Sequence, residues 1–233
     1  MFVDDEMNRQ REASARLFSE VTGFVVFNQV CGDILEFGVY KGDSLIDIYH
    51  WMTTHWAEFR CIGDAQGISI GYDDNFIGGK RFFAFDSFEG LPSSIDPERP
   101  IHFVEGAYKS SRDDFVRNLQ AHGVDISKFV ISEGWYDATL SQDFKVRNAL
   151  TSASLIYIDC DLRESAVPVF KFITDLIQDG TLLLVDDFFR YKGHPNKGIR
   201  GVFNEWAANN PQITFTELTR CCGNRVAFVC SMN

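Results

Sequence analysis

The sequence predicts a doubly wound α/β sheet, mostly parallel, with an antiparallel hairpin at one edge. Three observations carry that expectation. Five short runs are apolar throughout rather than alternating, as strands covered on both faces are. Each is followed by a stretch with helical spacing, and strand–helix alternation through five units implies a parallel sheet with helices on both sides. The tail breaks the alternation, because two β-rich runs are separated only by Cys221-Cys222-Gly223-Asn224, which fits a tight turn.

In chain order, residues 4–28 read as an N-terminal helical segment laid against the domain. The first strand is 33–38 (DILEFG) and its helix 44–59. Residues 61–80 are Gly-rich and polar, longer than a helix-to-strand loop needs. The second strand, 81–86 (RFFAFD), leads into 91–111, a Pro-containing stretch expected to form a lid, since long loops beside the strand ends of such sheets shape the ligand crevice. A helix over 112–122, a strand at 129–132 (FVIS) and a helix over 138–149 follow. The fourth strand is 154–159 (SLIYID) with a helix over 164–178, and the fifth is 181–186 (TLLLVD) with a helix over 198–208. The hairpin strands are 213–218 and 225–230. No repeat or linker divides the chain, so residues 1–233 are expected to form one domain.

With 22 Lys+Arg against 33 Asp+Glu, the chain of 233 residues carries a formal charge of −11, which argues against a nucleic-acid partner. No run approaches ~18 uninterrupted apolar residues, so a membrane span is not expected. The polar N-terminus MFVDDEMNRQRE and six Cys without paired spacing predict a reduced, cytoplasmic protein. The N-terminal helix and exposed aromatics favour a homodimer.

The chemistry gathers at the strand ends. The first strand finishes Glu36-Phe37-Gly38-Val39-Tyr40-Lys41-Gly42-Asp43-Ser44, a tight turn onto a helix N-terminus. Glu36 stands where a dinucleotide fingerprint has its first Gly, so a pyrophosphate is disfavoured and a cationic or amino-bearing ligand is favoured. Asp86, Ser87 and Phe88 close the second strand, where an acidic side chain can accept from ribose hydroxyls. Gly134 and Trp135 follow the third, where a base can stack. Together these describe an adenosine site without phosphates, which fits S-adenosylmethionine with its aminoacyl part near 38–44.

The fourth and fifth strands end in Asp159-Cys160-Asp161 and Asp186-Asp187. In doubly wound sheets these strands are usually neighbours, which gathers four carboxylates into one small volume. Like charges so close destabilise one another unless a cation joins them. Oxygen-only ligands point to Mg²⁺, with Mn²⁺ or Ca²⁺ as alternatives. Tyr108, Arg99 and His194 are candidate acceptor contacts, and the remaining histidines read as structural.

Six motifs combined carry a resemblance: Glu36-Phe-Gly-Val-Tyr-Lys-Gly, Phe85-Asp-Ser-Phe-Glu-Gly-Leu-Pro, Glu105-Gly-Ala-Tyr, Gly134-Trp-Tyr-Asp-Ala-Thr-Leu, Asp159-Cys-Asp-Leu-Arg-Glu-Ser and Val185-Asp-Asp-Phe. From about Asp33 to Trp206 the chain resembles the macrocin O-methyltransferase family, whose members include metal-dependent sugar O-methyltransferases of macrolide and aminocoumarin pathways. The resemblance implies a seven-stranded, Rossmann-like S-adenosylmethionine-dependent methyltransferase sheet. It implies metal ligation by Asp159, Asp186 and Asp187, Asp161 as general base, and Glu36, Gly38, Ser44, Asp86 and Ser87 at the cofactor. Tyr40, Gly42, Phe88, Gly134, Trp135 and Asp159 complete the expected cofactor wall, and the acceptor is a small molecule with a hydroxyl. Departing from the family, Leu162-Arg163 follow the Asp-x-Asp pair, leaving Arg163 open to pairing with Glu164, reaching the acidic cluster or meeting an anionic substrate. Two other readings stay open: a glycosyltransferase using an Asp-x-Asp metal pair, and a non-catalytic cofactor-binding module.

Overall fold

The computed structural model describes residues 2–65, 76–94 and 96–233. Among them are β1 (Asp33–Phe37), β2 (Phe82–Asp86), β3 (Phe129–Glu133), β4 (Ala153–Ile158), β5 (Leu182–Val185), β6 (Ile213–Cys221) and β7 (Arg225–Met232). They form one sheet of order β3-β2-β1-β4-β5-β7-β6. Pairing is parallel from β3 through β5 and antiparallel at β5–β7 and β6–β7. Strand order reverses between β1 and β4, and such a reversal opens a crevice beyond the carboxyl ends of the strands.

Alternation along each strand divides the core into two layers. Leu35 and Phe37 of β1, with Phe85, Ile158 and Val185, face α6 (Arg163–Ile173) and α7 (Gly198–Ala208). Ile34, with Phe82, Leu155 and Leu184, faces α1 (Phe2–Phe27), α2 (Asp43–Ala65) and α3 (Arg112–Ala121). Phe37 and Phe85 stack at 4.6 Å across β1 and β2, directly beneath the crevice. His55 ties α2 to α1, its Nε2 lying 2.9 Å from the Ser19 carbonyl and its Nδ1 3.1 Å from Glu58.

Three boundaries differ from the sequence reading. Helix α2 continues to Ala65, so 61–65 are helix rather than loop, and Gly63 is buried on its inner face; the rest of the expected 61–80 loop lies partly outside the described residues. The single helix expected over 138–149 is two, α4 (Tyr136–Thr139) and α5 (Gln142–Arg147), because the Ser141 hydroxyl accepts from Phe144 N and restarts the helix. The hairpin strands run to Cys221 and Met232, with a register shift between Glu217 and Thr219 that breaks the period-two pattern of β6.

The stretch 91–111 packs down on its own small core of Leu91, Phe103 and Leu162. Leu91 N donates to the Ala107 carbonyl and Gly106 N to the Leu91 carbonyl, both at 2.9 Å. Lys197 pairs with Glu98, and Ser94 donates to Glu164, so the segment is fastened to α6 and to the entry of α7.

Candidate active site

A cavity of about 590 Å³ opens at the strand reversal. Its floor begins where β1 turns into α2. Gly38 has φ +90, and a Cβ there would lie 1.9 Å from the Asp159 carbonyl oxygen, so β1 and β4 approach this closely only over a glycine. The turn is held from β2: Asp86 Oδ2 accepts from Val39 N and Tyr40 N at 2.9 Å each, and Oδ1 accepts from Phe88 N at 2.7 Å. Gly38, Tyr40, Asp86, Ser87, Gly134 and Trp135 all line the cavity. Trp135 is 45 % exposed and offers a flat apolar face. Asp86 thus accepts three main-chain N–H groups while lining the cavity.

Glu36, Gly42, Ser44 and Phe88 stand behind this wall rather than on it. Glu36 is fully buried, accepts from the Ser44 hydroxyl through Oε1 and leaves Oε2 without a partner. Burial pushes its carboxyl up to about 8 from 4.5, against the lowering hydrogen bond from Ser44. Between those two values the folded chain holds a proton that the unfolded chain has released, so Glu36 contributes stability below pH 4.5 that is lost as pH rises through 8. Glu36→Gln removes this term. In urea unfolding, the variant is expected to gain on the wild type steadily from pH 5 to about pH 8; a pH-independent difference would contradict the assignment.

In the same cavity, the loops after β4 and β5 bring Asp159, Asp161 and Asp187 together, with one carboxylate oxygen of each within 4.8 Å of the others. Asp161 and Asp187 sit at φ +61 and +53, left-handed conformations that Asp tolerates better than most residues and that turn both side chains back over the strand ends. Burial and mutual repulsion raise all three carboxyls: Asp159 well above its usual value, Asp161 to about 9, and Asp187 upward, with Arg190 opposing. Arg190 Nε donates to Asp187 Oδ1 at 2.8 Å.

Asp186 lines the cavity yet is spent elsewhere. Its Oδ2 accepts from Arg225 Nε at 2.6 Å and lies 3.0 Å from the Tyr157 hydroxyl, while Oδ1 accepts from Asp187 N at 2.7 Å. Tyr157 also lies 3.2 Å from Asp159 Oδ2. Asp159, Asp161 and Asp187 thus cluster most tightly, with Asp186 beside them and paired to Arg225.

Arg163 turns away from the cluster and binds Glu205 on α7 through Nη2 at 2.7 and 2.9 Å. Tyr108 lines the cavity, and its hydroxyl is pushed up by burial and by the Asp161 and Asp187 charges; Arg99 and His194 do not line it. Sequence reasoning missed Tyr157, whose signal was alternation, two residues before Asp159 on the same face. It also missed Gln10, Ser14, Cys222, Asn224 and Arg225, which line the cavity from α1 and the hairpin.

The model of the Macrocin-O-methyltransferase (TylF) family matches residues 73–207. A search of curated proteins by sequence gives no match. Among solved structures, the O-methyltransferase NovP superposes with a TM-score of 0.69 at 16% identity, over 93% of this chain and 79% of that one. The calicheamicin methyltransferase CalS11 gives 0.66 at 19% identity, over 95% and 80%. An apo structure of CalS11, a TDP-rhamnose 3'-O-methyltransferase, gives 0.53 at 20% identity, over 88% and 76%. These likenesses establish the methyltransferase fold, and no helix among the described residues is long and apolar enough to cross a membrane. The family match covers more than half of the sequence and sets aside both the glycosyltransferase and the non-catalytic readings: the chain belongs to the macrocin O-methyltransferase (TylF) family of S-adenosylmethionine-dependent O-methyltransferases.

Proposed function

We propose that this methyltransferase acts on a hydroxyl of a sugar unit in a natural-product pathway, with a divalent cation, Mg²⁺ by preference, held by Asp159 and Asp187 beside Asp161. The observation that carries the reading is the carboxylate trio, whose oxygens lie within 4.8 Å at one end of the cavity. Three acids at that spacing, Asp187 buried and Asp159 and Asp161 half-buried, repel one another, and an all-oxygen donor set suits a hard cation. When bound, such a cation lowers the pKa of an acceptor hydroxyl and fixes its oxygen; S-adenosylmethionine supplies the methyl group on a sulfonium.

The chain's own residues do the rest. Gly38, Tyr40, Asp86, Ser87, Gly134 and Trp135 form the nucleoside wall, with Glu36, Gly42, Ser44 and Phe88 holding that wall in shape from behind. Arg190 engages one oxygen of Asp187 and orients that carboxylate. Tyr157 and Arg225 hold Asp186 and, through it, the main chain that aims Asp187. Asp161, raised to about 9 by burial and its acidic neighbours, would be ionised at neutral pH by a cation bound beside it and would then accept the acceptor's proton on a carboxylate oxygen. The acceptor end carries Gln10, Ser14 and Asn224, hydrogen-bonding groups suited to a hydroxyl-rich ligand. The shared fold with a TDP-rhamnose 3'-O-methyltransferase agrees with that class.

The test is transfer of labelled methyl from S-adenosylmethionine to a panel of nucleotide sugars, glycosylated macrolides and catechols, with EDTA and with added Mg²⁺. Methylation of a sugar hydroxyl that EDTA abolishes and Mg²⁺ restores is the expected result. Full activity in EDTA would remove the cation, and methylation confined to catechols would remove the sugar.

A further inference from the structure

We infer that Cys221 and Cys222 form a thiol modification site on the rim of the catalytic cavity, closed to a vicinal disulfide by hydroperoxides and reopened by small thiols. Both cysteines are free, and their Sγ atoms lie 3.0 Å apart, about 1 Å more than a disulfide bond needs. Cys222 is exposed and lines the cavity, while Cys221 is partly covered and its Sγ lies 3.3 Å from the Ala13 carbonyl.

A second, independent observation concerns the turn itself. Cys222 has φ +53 and Gly223 φ +72, with Asn224 N bonded to the Cys221 carbonyl at 3.3 Å. Hairpin turns of this hand favour Asn, Asp or Gly at both central positions. A cysteine there is held in a strained backbone conformation, and strained positions cluster at functional sites. The turn is also wired to the acidic centre. Phe188 N donates to the Asn224 carbonyl at 2.9 Å, and Arg225, the next residue, holds Asp186. Closing a ring over residues 221 and 222 therefore alters the wall opposite Asp187.

The Cys222 thiolate attacks one peroxide oxygen, an S–O bond forms, the O–O bond breaks and hydroxide leaves. Cys221 then attacks the sulfenic sulfur; the S–S bond forms, the S–O bond breaks, and the departing hydroxide takes the Cys221 proton as water. Overall, two thiols lose two electrons and two protons, and one hydroperoxide is reduced. Burial and the hydrogen bond with Cys222 push the Cys221 thiol up to about 12, which leaves Cys222 as the first nucleophile. Neighbouring Cα atoms are about 3.8 Å apart, below the usual minimum of about 4.4 Å for bridged cysteines. The resulting strain makes the disulfide easy to reduce, so the modification is reversible.

The experiment treats the full chain with one equivalent of hydrogen peroxide, alkylates it with iodoacetamide and digests it with trypsin, which cuts after Arg220 and Arg225. The expected fragment, residues 221–225, is unalkylated and lighter by two hydrogen atoms, while the exposed Cys31 and Cys61 are alkylated. Glutathione added before alkylation restores two reactive thiols in that fragment. Cys222→Ser leaves Cys221 alkylated with or without peroxide. A doubly alkylated wild-type fragment after peroxide, a sulfinic acid on Cys222, or a cross-link to a second copy would each overturn the inference.

Discussion

Asp161→Asn is expected to lower the turnover number by about 10²- to 10⁴-fold, the usual loss when a positioned general base is removed. Affinity for S-adenosylhomocysteine should stay at the wild-type value. The side chain belongs to the acidic trio and is not one of the residues assigned to the cofactor wall. Asn matches Asp in size and tolerates the φ of +61 at this position, so the loop keeps its path. Single-turnover methyl transfer read beside calorimetric titration separates the two effects. A variant with wild-type turnover would show that another group takes the proton.

Gly38→Ala is expected to destabilise the fold by more than about 4 kcal/mol, a loss confined to mutations that break a specific structural feature. The added methyl would lie 1.9 Å from the Asp159 carbonyl oxygen and 2.8 Å from its carbonyl carbon. Neither neighbour can yield cheaply: Asp159 N is bonded to the Phe37 carbonyl at 2.8 Å, and Gly38 N to the Phe85 carbonyl at 2.9 Å. The clash and the φ of +90 therefore add, and relief would pull Asp159 out of the trio. Gly106→Ala is the matched control, with φ +75 and nothing within 4 Å of an added Cβ. It isolates the backbone term, about 1 kcal/mol. Equal urea midpoints for the two variants would refute the steric argument.

Much of this architecture is legible in the chain because parallel strands buried on both faces must be largely apolar, as FFAF, LIYI and LLLV are, with Glu36 in ILEF the exception. The adjacency of β4 and β5, which brings Asp159 and Asp161 toward Asp187, follows from the same logic and is realised as Ile158 opposite Val185. What escaped the reading depends on partners distant in sequence. Asp186 is held by Arg225, thirty-nine residues away at the start of β7. That pairing follows from the antiparallel register of Val185 with Val226, and no local pattern announces it. Gln10 and Ser14 reach the cavity only because α1 packs over the sheet, far from every motif. The break at Ser141 was missed for a different reason. A capping serine inside an apolar-periodic stretch reads as one more helical residue unless its hydroxyl is seen to take Phe144 N.

The central claim is that Asp159 and Asp187 hold a divalent cation next to the base Asp161. Electron paramagnetic resonance titration of the metal-stripped protein with Mn²⁺ addresses it without any acceptor. One bound ion per wild-type chain is expected, with affinity reduced at least about tenfold in Asp159→Asn and in Asp187→Asn. A wild-type protein that binds no Mn²⁺, or variants that bind it as tightly as wild type, would contradict the account.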